Sequence, residues 1–403
     1  MQKRSTVLLI ICWLVYTLSY IGKISYNTNI IQIESFYGVT HSQAGLVSTC
    51  FFFSYGIGQF VNGFLCKKYN LKYLIFFVLI ISSICNLMVS VVSNFSLLKY
   101  IWFLNGCALS TLWPSLIRFL SENTNEKGIK KVAIIMGTSF TVGTILCFAL
   151  SSLFVAIGNF KIIFYLAGII DPLLAVLWLY FYNKLLTNKE SIQDTNIEVV
   201  KVEKVKMGTF LFVTIVVFSF FAVIANLLRD GLTTWVPIVL KHYFGVSDSI
   251  SILLSLVLPI VSAFGVFLAT FSSKKSNNYV PLFLILFLIT SISVLFMALF
   301  NSSGIVFLLI NLAIVSFLMS GVCDILTSFV PLEWKKKINA GFVAGLLNGF
   351  CYVGSTISAY CLGLVADSYS WDAVFILLSL LSFVCVVCSA VYCVVLKIKK
   401  PTE

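Results

Sequence analysis

Tyr16, Tyr20 and Lys23 stand at i, i+4 and i+7 in "CWLVYTLSYIGKISYN", so one stripe of a helix would carry two phenols and end on a charge. A phenolic hydroxyl and an ammonium both donate hydrogen bonds to oxygen, so the stripe could cradle an anion. A second cation, Arg229, sits in "NLLRDGLTTWVPIVLK", with apolar sequence on both sides. Asp230 follows it directly but projects about 100° further round a helix, so the two are not expected to neutralise each other. Asp230 therefore needs a partner from elsewhere. Two further carboxylates interrupt apolar sequence, Asp171 before Pro172 and Asp324 about a dozen residues before Lys335.

The medium in which these groups stand decides what they can do. The chain has 403 residues, is 60% hydrophobic and only 10% charged, beyond the ~45–50% apolar content of soluble domains. Twelve apolar runs, most near the ~20 residues that cross a bilayer as a helix, lie at 6–31, 43–65, 72–93, 97–120, 130–155, 160–183, 208–240, 247–272, 279–300, 304–332, 338–366 and 370–396. The first is too long for the apolar part of a signal peptide and reads as span 1. The expected fold is an all-α membrane protein.

The net charge of +12 is distributed by side. Of the 27 Lys and Arg, only Lys99, Lys161 and Lys241 fall in outer loops, Lys23 and Arg229 lie inside spans, and the rest fall in the opposite loops and tails. This positive-inside asymmetry puts both termini in the cytosol and accounts for the basic charge without nucleic acid. Most of the 12 Cys lie in apolar runs, where a thiol acts as a small hydrophobe. Cys385-Val-Val-Cys388 has metal spacing but no His near it. No cofactor or metal is nominated, and no nucleophile–base pair suggests an enzyme.

A polar segment at 184–207 separates a six-span half, 1–183, from a second, 208–403. The Lys67-Lys68 loop matches Lys274-Lys275 at an offset of 207, and Lys23 matches Arg229 at 206. Parallel repeats of this kind place a solute site between halves near the midplane. A cation at that depth costs at least ~2.5 kcal/mol and usually faces a cavity. Lys23 has a second reading, because it lies about 25 Å along span 1 and could snorkel to the outer interface.

These motifs resemble the organophosphate:phosphate antiporters of the major facilitator superfamily, over nearly the whole chain. The span 1 stripe, "SYGIGQFVNGFLCKKYNLK" with Tyr55, "NGCALSTLWPS", "NLLRDGLTTWVPIVLK", and "NAGFVAGLLNGFCYVGS" with Tyr352 carry the likeness. The resemblance implies a twelve-helix major facilitator fold with two halves related by pseudo-twofold symmetry. It also implies a pocket with Lys23 and Arg229 as anion-binding cations, lined by Tyr16, Tyr20, Tyr55 and Tyr352. The departures are Lys23 for the family's first arginine, Gln59 for a lysine, Phe140 for a histidine, Ser320 for a tyrosine, and Lys67 where the loop motif has Asp. A lysine is a point charge and not a planar fork, so bidentate phosphate recognition is weakened while the charge remains.

The expected activity is secondary transport of a small organic anion, foremost a phosphorylated sugar or polyol, by alternating access with phosphate exchange or proton coupling. The expected setting is the inner membrane of a bacterium, with the protein acting as a monomer. A transporter-like sugar-phosphate sensor is one alternative, less favoured by the short tails. A proton-coupled carboxylate symporter is another, for which Asp324 would titrate. Asp324 could instead pair with Arg229 or Lys23 in the empty state, while Asp171 could either couple transport or cap a kinked helix.

Overall fold

The computed structural model describes residues 3–65, 69–124, 126–186, 209–275, 279–334 and 340–399, and among these every regular element is a helix. In the first half, α1 (Lys3–Thr28) is extended by α2 (Ile30–Tyr37) and followed by α3 (His41–Leu65) and α4 (Leu71–Val91). Then come α5 (Phe95–Leu109), α6 (Leu112–Glu122), α7 (Glu126–Ala156) and α8 (Ile162–Leu186). The second half begins with α9 (Thr209–Phe244), then α10 (Asp248–Ser255), α11 (Val257–Ser262) and α12 (Gly265–Lys275). It closes with α13 (Val280–Leu299), α14 (Ile305–Asp324), α15 (Val330–Trp334), α16 (Ala340–Ser368) and α17 (Trp371–Lys399). The expected 184–207 segment lies outside the described residues from 187 on, as do Lys67 and Lys68 and the side chains of Lys274 and Lys275.

Eleven stretches are long and apolar enough to cross a membrane. The α5–α6 pair, each member too short alone, supplies the twelfth at the place the hydropathy indicates. Three spans are broken: the fourth at Ser110–Thr111, the eighth at Leu256 and at Ala263–Phe264, and the tenth by a π-helical turn over Ile325–Phe329. Pro114, Pro259 and Pro331 sit within a turn after a break. A proline cannot donate to the turn before it, so the hydrogen-bond ladder shifts there.

Buried apolar side chains form two clusters. One gathers residues between Leu8 and Trp178; the other gathers residues between Phe218 and Tyr392, together with Ile30, Ile31 and Ala44. Spans 2 and 11 meet closely. A Cβ on Gly45 would overlap the Ala359 carbonyl oxygen; spans 11 and 7 are equally close, since one on Gly354 would overlap the Val223 carbonyl oxygen. Alanine normally favours a helix over glycine by about 1 kcal/mol. At Gly45 the sign should reverse, because overpacking costs ~1–3 kcal/mol. Gly45→Ala is therefore expected to lower the melting temperature of the detergent-purified protein; an increase would mean that spans 2 and 11 do not touch there.

Further ties between the halves gather at the end of the bundle that carries the 38–40 and 245–247 turns. Both Asp367 carboxylate oxygens accept from the start of α3, at 3.1 Å from His41 N and 2.8 Å from Ser42 N. At the same end but within the first half, Glu34 Oε1 lies 2.9 Å from His41 Nδ1, and burial pushes the Glu34 carboxyl up against the opposing pull of that histidine. Asp248 accepts from Lys241 at 2.7 Å and from Gln32 at 3.1 Å, and Ser152 and Ser249 exchange hydroxyl-to-carbonyl bonds of 2.8 Å.

Candidate functional site

Spans 1 and 7 meet through Asn27, whose Nδ2 donates to Thr234 Oγ1 at 3.2 Å. These residues are 207 apart, the offset at which the halves align, so the bond lies beside the pseudo-twofold axis. Lys23 is one turn before Asn27, and Arg229 is just over one turn before Thr234. The two cations therefore stand at matched depth on facing helices, although they are not treated alike.

Lys23 borders a cavity of about 190 Å³. The first half supplies Tyr16, Tyr20, Lys23, Tyr55, Gln59, Trp113 and Phe140 to its wall, and the second half supplies Asn348 and Tyr352. The ammonium does not snorkel. Its Nζ donates to the Tyr20 hydroxyl at 3.3 Å and lies 4.6 Å and 4.1 Å from the ring centroids of Tyr20 and Tyr55. Those two aromatic faces hold the cation without spending its charge on a carboxylate. No ion pair to Lys23 occurs among the described residues. Tyr16 packs its ring 5.5 Å from Tyr20 and 4.6 Å from Trp113, and Tyr55 lies 4.9 Å from Tyr352 across the two halves. All four expected tyrosines thus gather round Lys23.

Arg229 departs from expectation. Its Nε donates to Asp230 Oδ1 at 2.9 Å, so the adjacent residues do form an ion pair. The 100° helical step sets the direction of each Cβ. A long guanidinium arm can fold back across it, and Asp230 is turned to meet it by its other oxygen. That oxygen, Oδ2, accepts from Ser355 Oγ at 2.7 Å and from Asn226 Nδ2 at 3.0 Å. Asn226 is itself held by the Cys351 carbonyl at 2.8 Å and by Ser355 Oγ. Asn226 and Ser355 are buried and were not anticipated; both lie inside the quoted span 7 and span 11 surroundings, but polar residues there carry no spacing signal. Arg229 is not in the wall of the Lys23 cavity.

The other two carboxylates also differ. Asp324 ends α14 at the π-helical turn and forms no ion pair among the described residues, so neither expected pairing, with Arg229 or with Lys23, is made. Asp171 caps nothing. It is fully buried within a continuous α8, against the backbone of Gly22 on α1, and neither oxygen has a hydrogen-bond partner among the described residues.

Of the departures from the family pattern, Gln59 and Phe140 both border the cavity, and Gln59 Nε2 donates to the Ser110 carbonyl at 3.2 Å. Ser320 is buried away from it against Gly265. Trp113 and Asn348 complete the wall; each lies in a motif that carried the resemblance without being singled out.

A twelve-span helical bundle with a cation-bearing cavity between halves defines a membrane transport protein. The model of the Major Facilitator Superfamily matches residues 12–340, and the chain belongs to that superfamily. It is a multi-pass membrane transporter and not an enzyme. It is similar to a "Probable hexose phosphate transport protein" of Chlamydia pneumoniae, 24% identical over 90% of this chain and 85% of that one. It is also similar to "Membrane sensor protein UhpC" of Escherichia coli (strain K12), 22% identical over 93% and 88% of the two chains. These relatives agree with the resemblance to the organophosphate:phosphate antiporters. A bacterial homologue of the human lysosomal transporter Spinster, in an inward-facing conformation, shares the fold with a TM-score of 0.75 at 16% identity, over 97% of this chain and 96% of that one.

Proposed function

We propose that the protein carries a phosphorylated sugar or polyol across a bacterial inner membrane by alternating access. Two six-helix units, 1–183 and 208–403, would rock about the site between them, driven by phosphate exchange or a proton gradient. The observation that carries this reading is Lys23, an ammonium at membrane depth that meets only phenols and has no acidic partner among the described residues. A site of that kind keeps its positive charge available to an entering anion. Arg229, at matched depth on span 7, is the second cation an approaching phosphate would reach. Tyr16, Tyr20, Tyr55 and Tyr352 supply hydroxyl donors and apolar faces for a sugar ring. The hexose-phosphate name of the C. pneumoniae relative favours the same substrate class.

A ligand that binds only the folded carrier raises its melting temperature. Glucose 6-phosphate and inorganic phosphate are therefore expected to stabilise the purified protein, and glucose to leave it unchanged. Stabilisation by glucose with none from either phosphate would overturn the anion reading. The similarity to a membrane sensor supports a second reading, in which the same pocket reports the sugar phosphate without moving it. Binding without counterflow in proteoliposomes would favour the sensor.

A further inference from the structure

Asp230 is a carboxylate in an organised place. One oxygen takes the Arg229 Nε at 2.9 Å, and the other is fixed by Ser355 on α16 at 2.7 Å and by Asn226 at 3.0 Å. Asn226 and Ser355 are 1% and 0% exposed, so the two groups that fix this oxygen are themselves buried, and they come from two helices. The Arg229 side chain is the more exposed of the pair, 31% against 22% for Asp230, and no second acidic group pairs with it among the described residues. The guanidinium is the movable member of the pair. If it swings away, the Asp230 carboxylate keeps two hydrogen bonds and stays where Arg229 can find it again.

We infer that Asp230 is the carrier's own surrogate anion: it neutralises Arg229 while the site is empty, and an arriving phosphate must take the guanidinium from it. This rests on the sugar-phosphate reading of the pocket. An unpaired guanidinium would have to be desolvated each time the empty pocket closed, whereas a paired one is already neutral. Lys23 stays sheltered by the Tyr20 and Tyr55 rings, so once Arg229 is paired the empty carrier can return without cargo. Transport is then not restricted to obligate exchange, and the affinity for substrate is set partly by the pair that must be broken.

Three variants test this in proteoliposomes with the voltage clamped by potassium and valinomycin. Two modes are compared: counterflow of glucose 6-phosphate against internal phosphate, and net uptake into vesicles holding neither. The wild type is expected to perform both. Asp230→Asn keeps the fold contacts and removes the charge. It should hold counterflow within about threefold, bind glucose 6-phosphate about tenfold more tightly, and lose net uptake at least tenfold. Asp230→Ser gives the same comparison if the asparagine variant does not accumulate, and Asp230→Glu, which keeps the charge, should restore net uptake. Wild-type counterflow without net uptake would overturn the inference, as would wild-type net uptake by Asp230→Asn or equal loss of both modes in a folded variant. Failure of the wild type to exchange glucose 6-phosphate for phosphate sinks the substrate reading instead.

Discussion

Arg229→Gln is expected to weaken glucose 6-phosphate binding about a hundredfold or more, as truncating one partner of a buried charged contact costs ~2–5 kcal/mol. The substitution does a second thing that separates it from a simple binding defect. It leaves Asp230 in its cradle of Ser355 and Asn226 with its counter-charge gone. A buried group stripped of its partner destabilises by about 1–3 kcal/mol, more when it is charged, with the exposure of this pair tempering the cost. The melting temperature of the empty protein should therefore fall. Adding Asp230→Asn to Arg229→Gln should restore much of that stability, because no unpaired charge remains, and should restore none of the binding. Thermal unfolding with and without glucose 6-phosphate reads both effects. A double variant that binds like the wild type would remove Arg229 from the site.

Lys23→Gln is expected to act in the opposite direction on stability. Lys23 makes one hydrogen bond to Tyr20 and two cation–π contacts, and among the described residues it has no carboxylate to strand. Removing an uncompensated charge from membrane depth should leave the empty carrier as stable as before or raise its melting temperature. Binding should nevertheless drop at least tenfold, since a charge-assisted contact to phosphate is worth ~1.5–3 kcal/mol. Lys23→Arg should keep most of the binding because the charge survives. Its planar guanidinium can add a bidentate contact if the Tyr20 and Tyr55 rings let it turn. A Lys23→Gln protein that binds and transports normally would show that the aromatic cage holds the lysine for structural reasons alone.

The contrast between these two cations marks where reading the sequence succeeds and where it stops. A bilayer forces long apolar helices, so the twelve spans and the stripe of Tyr16, Tyr20 and Lys23 are written in local sequence. The offset of 207 between halves is also local information, and it returns as the Asn27–Thr234 contact. Breaks inside spans 8 and 10 are not legible, because Pro259 and Pro331 permit a shifted ladder without specifying one. Helical geometry misplaces the Asp230 partner for a physical reason. It gives the direction in which a side chain leaves the backbone and says nothing of where a long flexible arm ends. Ser355, 125 residues away, turns the carboxylate, and no spacing rule could nominate it. Asp171 and Asp324 fail similarly: a lone acid in an apolar run shows its cost but not its neighbours.

The account stands on an anion site between the halves that moves its ligand. The most direct measurement is counterflow of labelled glucose 6-phosphate by the wild-type protein in proteoliposomes, with competitors added outside. The account predicts time-dependent accumulation that is inhibited by unlabelled glucose 6-phosphate and by phosphate, is indifferent to glucose, and is absent in Lys23→Gln and Arg229→Gln. Accumulation that glucose abolishes and phosphate does not, or that survives loss of both cations, would contradict it.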